Sequence, residues 1–145
     1  MRHTAPGAVM LGTAALAGHR VAIGRAGYGT LLPAAEGTVH GIVWELTEGD
    51  EQALDQFEGV DRGFYRKASK VVSTAAGPLE AMVYLAVDGR PGVASPDYIR
   101  QVVTAAKAAG FPPRYLAELA GLPSEGSQDE PWIPPVHQSE PPSIP

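Results

Sequence analysis

The stretch Leu54-Asp-Gln-Phe-Glu-Gly-Val-Asp-Arg-Gly-Phe-Tyr65 marks the point where the sequence changes from a helical pattern to a strand pattern. Upstream of it, Thr47 is a typical helix N-cap, and the acidic residues after Thr47 fill the first turn, where the helix macrodipole favours negative charge. Two glycines then interrupt the helical spacing, and an apolar run typical of a strand begins at Tyr65. The stretch therefore predicts a short helix, a glycine turn and a strand, with Glu58 at the helix end.

Glu58 is the candidate functional residue of this stretch. A carboxylate is disfavoured at a helix C-terminus, and the aromatic neighbours Phe57 and Phe64 disfavour its charged form further. Both effects predict a raised pKa, which suits a residue that transfers protons near neutral pH. The alternative interpretation of these residues alone is a solvated glutamate in a loop.

Composition excludes several classes of protein. The chain has 145 residues, of which 44% are hydrophobic, enough for one domain with a core. A net charge of -5, with no cluster of lysine and arginine, predicts no nucleic-acid partner. The absence of cysteine excludes disulfides and thiol chemistry, and the four scattered histidines predict no metal site. No apolar run is long enough to span a membrane, so we expect no membrane partner.

The N-terminal segment resembles a short signal peptide, since Arg2 is followed by an apolar run that ends in Ala15-Leu16-Ala17. Gly12 and Thr13 interrupt this run, however. We therefore interpret residues 9–17 as a buried first strand.

The remaining pattern predicts five or six short strands and three helices, with strands at residues 9–17, 20–23, 28–33, 38–46, 65–74 and 79–87. Strand 38–46 is apolar on both faces, as is typical of a central strand. Ser95-Pro-Asp97 and Pro112-Pro113 each begin a helix. This set of elements predicts the α+β class, as a small mixed β-barrel with short helices packed outside.

We place the domain boundary after Leu122. Residues 123–145 include seven prolines among mostly polar residues and lack the apolar periodicity that packing requires. The sequence therefore predicts a domain over residues 1–122, followed by a disordered or extended tail.

Four features occur in order along the chain: Leu54-Asp-x-x-Glu58-Gly-Val, Gly63-x-Tyr65, Tyr84 on the next strand, and Pro96-x-Tyr98. Their arrangement resembles the γ-glutamylcyclotransferase family, also called AIG2-like. The strand Val39-His-Gly-Ile-Val-Trp-Glu-Leu46 is similar to one of that family as well, and the resemblance covers about residues 5–120.

The resemblance implies an enzyme of transferase or lyase type. In that reaction the α-amino group of a small γ-glutamyl substrate attacks its own γ-carbonyl, which yields 5-oxoproline and a free amine without a cofactor. Glu58 matches the family's catalytic glutamate, and Tyr65, Tyr84 and Tyr98 match its pocket tyrosines. The resemblance also implies a cytoplasmic protein of glutathione metabolism. Without the resemblance, each tyrosine reads as an ordinary half-buried barrel residue.

One part of the family's pattern is not matched. Such proteins begin with a strand and a Tyr-Gly-Ser-Asn type loop, whose N–H groups hold the substrate carboxylate and oxyanion. Pro6-Gly-Ala8 resembles the segment that follows that loop, and Tyr28-Gly-Thr-Leu31 lies where the family has a structural segment ending in proline, here Pro33. We therefore expect a chain that lacks the anion-binding half of the site, turns over little and self-associates through an exposed barrel edge.

Two other functions fit the same residues. The domain could be a non-catalytic binding or scaffold domain that retains Glu58. It could instead be an amide-handling domain related to those of allophanate hydrolases. The sequence leaves the leaving amine of the substrate open.

Overall fold

Two β-hairpins and three helices make up the fold. The computed structural model of the chain describes residues 5–125, and in chain order its elements are β1 (Val9–Ile23), β2 (Gly29–Glu45), α1 (Glu48–Phe57), β3 (Tyr65–Thr74), β4 (Gly77–Ala86), α2 (Pro96–Ala108) and α3 (Pro113–Ala120). This content agrees with the predicted α+β class.

The four strands form one antiparallel sheet in the order β2-β1-β3-β4. The two hairpins are joined at a narrow seam, where Ala14 pairs with Thr74 and Ala15 with Ser73. Within residues 5–125 no strand pairing joins β2 to β4, so the predicted closed, mixed barrel is wrong. The sheet is open, and its outer strands are β2 and β4.

The edge position of β2 corrects the prediction of a central strand, which rested on apolar residues on both of its faces. Val39 and Val43 are buried in the core. Ile42 and Trp44 are only partly buried, and together with Val43 they line an apolar groove of about 250 Å³ between β2 and β4. The second apolar face of β2 therefore borders this groove.

β1 and β2 each span two of the predicted strands. The register between them shifts between Ala17 and His19, and Gly18 at this point has a φ of +77°. On β2, a Cβ at Gly37 would lie 2.3 Å from the carbonyl oxygen of His19. Gly18 was predicted to end the strand as a turn, but glycines on both strands let the pair bend without a break.

The prediction of a buried first strand is correct for only part of β1. Val9 and Leu11 are more than half exposed, at 55% and 57%. Ala14 and Leu16 are buried, as are Val21 and Ile23 further along the strand. Alternation of buried and exposed residues is expected for a strand that packs one face on the core.

The helices begin where the sequence predicts. The Thr47 hydroxyl accepts a hydrogen bond from the N–H of Asp50 at 3.1 Å, and the buried Asp50 carboxylate accepts from the N–H groups of Thr47 and Gly7, both at 3.2 Å. Ser95 caps α2 by accepting from the N–H of Tyr98. No helix in the described part of the chain combines the length and apolar character needed to cross a membrane.

The core lies between the sheet and the last two helices. Leu16, Val39 and Val83 from the sheet belong to one buried cluster with Val102 of α2 and Leu119 of α3. Tyr98 is part of the same cluster. The first turn of α2 therefore packs against the sheet.

The chain returns to the fold after α3. The N–H of Ala94 donates to the carbonyl of Pro123, and the N–H of Glu125 donates to the carbonyl of Ala94, both at 2.9 Å. The first residues that the sequence assigned to the tail are therefore bonded to the domain. The rest of the predicted tail, residues 126–145, lies outside the described residues.

Candidate active site

Glu58 is the C-cap residue of α1, and its N–H donates to the carbonyl of Leu54 at 2.8 Å. Its side chain is half-buried, and this burial raises the pKa of its carboxyl group from 4.5 to about 7. Gly59 follows with a φ of +71°, which turns the chain away from the helix. The predicted helix-end position and raised pKa are both present, and burial is the cause of the shift.

Tyr65 and Tyr98 meet at the backbone of Gly29. The Tyr65 hydroxyl donates to the carbonyl of Gly29 at 3.1 Å, and the N–H of Gly29 donates to the Tyr98 hydroxyl at 2.8 Å. A Cβ at residue 29 would stand 3.1 Å from the Tyr98 hydroxyl, so glycine permits this close approach. One peptide segment at the start of β2 thus fixes tyrosines from β3 and α2.

The three predicted site tyrosines all have a pKa above the ordinary value of a phenol. Burial is the largest cause that raises the pKa of Tyr65, Tyr84 and Tyr98. The negative charge of Glu58 acts on all three phenols in the same direction. Because such charge effects fall off with distance, the three phenols lie within electrostatic range of Glu58. The phenols stay protonated at neutral pH and can donate hydrogen bonds.

Tyr84 is held by a carboxylate that the sequence analysis did not assign to the site. Its hydroxyl donates to Oδ1 of Asp55 at 2.6 Å. Lys67 donates to Oδ2 of the same carboxylate at 3.0 Å and to Oε2 of Glu51 at 2.5 Å. The signal was present in Leu54-Asp-x-x-Glu58, since residues three apart on a helix share a face.

Tyr28 is a second residue that sequence reasoning placed outside the site. Its ring packs edge-to-face on Tyr98, with 5.3 Å between the ring centroids. Gly29 begins β2 and pairs with Ile23, which agrees with a structural role for this segment. The N–H of Gly29 is already engaged by Tyr98, as expected if the segment does not serve as an anion loop. No local pattern links Tyr28 to a residue seventy positions away.

A cation and an exposed aromatic ring lie beside Gly59, the residue that follows Glu58. The Arg62 guanidinium stacks on the Phe64 ring at 5.3 Å and donates to the carbonyl of Gln56 at 3.0 Å. A Cβ at Gly59 would lie 2.6 Å from the Phe64 ring and 3.2 Å from Arg62, so both side chains cover the residue next to Glu58. Within residues 5–125 no group of three or more His, Asp or Glu side chains is arranged to hold a metal ion.

Known proteins share this fold. γ-Glutamyl cyclotransferase superposes with a TM-score of 0.80 at 21% identity, over 89% of this chain and 83% of that one. An uncharacterized protein from Homo sapiens gives a TM-score of 0.79 at 22% identity, with the same coverage of both chains. At these identities the likeness establishes the fold.

Sequence comparison gives the family. Human γ-glutamylcyclotransferase is 28% identical over 97 residues, which cover 66% of this chain and 52% of that protein. The chain therefore spans about half the length of the curated relative that it matches. The sequence profile of the AIG2-like family matches residues 38–119, which make up more than half of the chain and carry Glu58 and the three predicted site tyrosines. The predicted resemblance is confirmed: this chain belongs to the AIG2-like family.

Proposed function

We propose that this protein is a γ-glutamylcyclotransferase-like enzyme that cyclises a small γ-glutamyl compound to 5-oxoproline and releases a free amine. The observation that carries the proposal is the half-buried Glu58 carboxyl, whose pKa is raised to about 7 among three tyrosines. The family resemblance supports an enzyme of transferase or lyase type in the cytoplasm. The human relative at 28% identity is named for the same reaction.

The reaction needs a single group that both accepts and donates a proton. The carboxylate of Glu58 takes a proton from the substrate α-ammonium, and the freed amine attacks the γ-carbonyl carbon. A new C–N bond closes the five-membered ring, and the original amide C–N bond breaks. Glu58 returns its proton to the departing nitrogen, and the second proton lost by the ring nitrogen ends on the released amine, which leaves as an ammonium. The enzyme therefore ends in its starting state.

A pKa of about 7 suits both halves of this cycle. A carboxyl group with an ordinary pKa near 4.5 would be a weak proton donor to the leaving nitrogen. With a pKa near the working pH, both protonation states of Glu58 are well populated. Burial of the side chain thus prepares it for a role that an exposed glutamate fills poorly.

The tyrosines give the site its shape. Tyr65 and Tyr98 are fixed through Gly29, and Tyr84 through Asp55, so each phenol holds one orientation. Arg62 places a positive charge beside Gly59, the residue that follows Glu58. We assign to this guanidinium the carboxylate of the substrate when the leaving group is an amino acid.

Release of 5-oxoproline from γ-glutamyl amino acids tests the proposal directly. Glu58→Gln keeps the shape of the side chain but cannot accept the proton, so turnover should fall by about a hundredfold or more. Glu118→Gln, an exposed substitution on α3, is the matched control and should leave turnover unchanged. Equal turnover by the wild type and the folded Glu58→Gln variant would remove Glu58 from the mechanism.

A non-catalytic binding domain predicts a different result. In that case γ-glutamyl compounds would bind to the wild type without any release of 5-oxoproline. Calorimetric titration alongside the turnover assay separates the two functions, because binding without turnover contradicts the enzyme proposal alone.

A further inference from the structure

Asp55 connects three elements of the structure around the candidate site. It lies on α1, one turn before Glu58, and therefore on the same side of the helix. Lys67 on β3 and Tyr84 on β4 are cross-strand partners, and both donate to its carboxylate. One oxygen of Asp55 accepts from Tyr84 at 2.6 Å and the other from Lys67 at 3.0 Å.

These bonds fix the direction of the hydrogen bond at Tyr84. A carboxylate only accepts, so the single hydroxyl hydrogen of Tyr84 points to Asp55. The phenol oxygen retains lone pairs on its remaining side and has no second hydrogen to donate there. Toward any other group in the site, Tyr84 can therefore act only as an acceptor.

The helix places Tyr84 near Glu58. Asp55 and Glu58 are three residues apart on one side of α1, so the Tyr84 hydroxyl that Asp55 binds lies on that side as well. The negative charge of Glu58 acts on this phenol. Glu58 is also the residue that removes a proton from the substrate ammonium in the proposed function. A group that only accepts hydrogen bonds next to Glu58 is complementary to an ammonium and repels a carboxylate.

We propose that Asp55 is a positioning residue, which orients Tyr84 so that its phenol oxygen accepts a hydrogen bond from the substrate α-ammonium beside Glu58. This inference rests on the proposed function for the identity of the ammonium. The substrate ammonium donates one N–H to the phenol oxygen of Tyr84. A second N–H points to the Glu58 carboxylate, which removes this proton. Asp55 itself contacts no reacting atom.

A structural role for Asp55 would predict different behaviour. Asp55 also ties α1 to the second hairpin through Lys67, so its loss could simply loosen the helix. A loosened helix would weaken the binding of every ligand to the same extent. Loss of a positioning residue would weaken the binding of only those ligands that carry the α-ammonium.

The test uses two ligands that differ only in this group, γ-glutamylalanine and its des-amino analogue glutarylalanine. Binding of each is measured by calorimetry in the Glu58→Gln background, where the first ligand is not consumed. Asp55→Asn and Tyr84→Phe should each lower the affinity for γ-glutamylalanine by about tenfold, as expected for the loss of one charge-assisted hydrogen bond. Both variants should bind glutarylalanine as the Glu58→Gln parent does.

Glu51→Gln supplies the matched control, because it removes the other ion pair of Lys67 and leaves the bond between Asp55 and Tyr84 in place. It should change the binding of neither ligand. The double variant Asp55→Asn, Tyr84→Phe should lose no more affinity than Tyr84→Phe alone, since both act through one hydrogen bond.

Three results would overturn the inference: unchanged affinity for γ-glutamylalanine in Tyr84→Phe, equal losses for the two ligands, or no binding of either ligand by the parent. Failure of the proposed function has a separate signature. A wild-type protein that binds γ-glutamylalanine through Tyr84 without releasing 5-oxoproline would contradict catalysis and leave the positioning role standing.

Discussion

At the scale of single residues, the local sequence around Glu58 predicts more than its distant neighbours do. The cap at Thr47, the helical spacing and the glycine after Glu58 place the carboxyl at a helix end between apolar residues, which is where the structure has it. Tyr28 and Asp55 were not predicted as part of the site. Tyr28 reaches it only because α2 packs against the start of β2, and such long-range contacts leave no periodic trace in the sequence.

The raised pKa of Glu58 predicts a pH dependence of stability. In the unfolded chain the carboxyl has a pKa near 4.5, and in the fold a pKa of about 7, so the folded state binds the proton more tightly. The stability that comes from this protonated group is complete below pH 4.5 and is lost as the pH rises through 7. Above pH 7 the loss levels off at no more than about 3 kcal/mol.

Glu58→Gln removes this titration. We expect the unfolding free energy of the variant to exceed that of the wild type increasingly between pH 4.5 and 7, with a constant difference above pH 8. Urea unfolding of both proteins, followed by circular dichroism at pH 4.5, 6, 7 and 8, measures this difference in unfolding free energy. A difference that does not vary with pH would show that the Glu58 carboxyl is solvated.

At the scale of elements, the helices were easier to predict than the strands. Their caps are local signals, so Thr47 and Ser95 mark the starts of α1 and α2 correctly. Gly18 was read as a turn, because glycine usually interrupts a strand pattern. Whether a strand bends or ends there depends on Gly37 across the pair, and that partner is visible only once the register is known.

The bend predicts a strong effect of a single methyl group at Gly37. An added Cβ would stand 2.3 Å from the His19 carbonyl oxygen, so Gly37→Ala forces the backbones of β1 and β2 apart. We expect the thermal midpoint to fall by about 5 °C or more. Gly49→Ala is the control, since the same methyl group in α1 meets no atom closer than 4.0 Å and improves helix propensity.

Differential scanning calorimetry of the two variants checks this contrast. Gly49→Ala should have a midpoint equal to or above that of the wild type. A Gly37→Ala midpoint within about 1 °C of the wild type would show that the bend relaxes without cost.

At the scale of the whole molecule, the sequence predicts the class of the fold but not the closure of the sheet. Each strand can be read from its own alternation, whereas closure depends on which edges meet in space. Within residues 5–125 the strands of the two hairpins pair only through β1 and β3, and β2 and β4 lie on opposite sides of an apolar groove. The inferred barrel came from the count of strands, which does not determine their order.

The two outer strands predict self-association of the described domain. Unpaired strand edges beside an apolar groove can pair with the edge of a second copy. We expect the apparent mass to rise with protein concentration in analytical ultracentrifugation. Met82→Lys puts a charge into the groove and should shift the protein toward monomer.

Val71→Lys is the matched control for this prediction, because Val71 is 63% exposed on β3 and does not line the groove. It should leave the mass distribution unchanged. A monomer at all concentrations, or equal effects of the two lysines, would contradict association through these edges.

The narrow seam between the hairpins also divides the candidate site. Gly29 belongs to the first hairpin, whereas Tyr65 and Tyr84 belong to the second. Asp55 is bonded to the second hairpin through Tyr84. Each hairpin joins neighbouring stretches of chain, whereas the strand pairing at the seam consists of two residue pairs that are 60 and 58 positions apart. A partial opening at the seam would separate Tyr65 from Gly29 while leaving both hairpins formed. The site is therefore intact only when both hairpins are folded and docked on each other. Loss of the site would reveal their separation even while each hairpin stays folded.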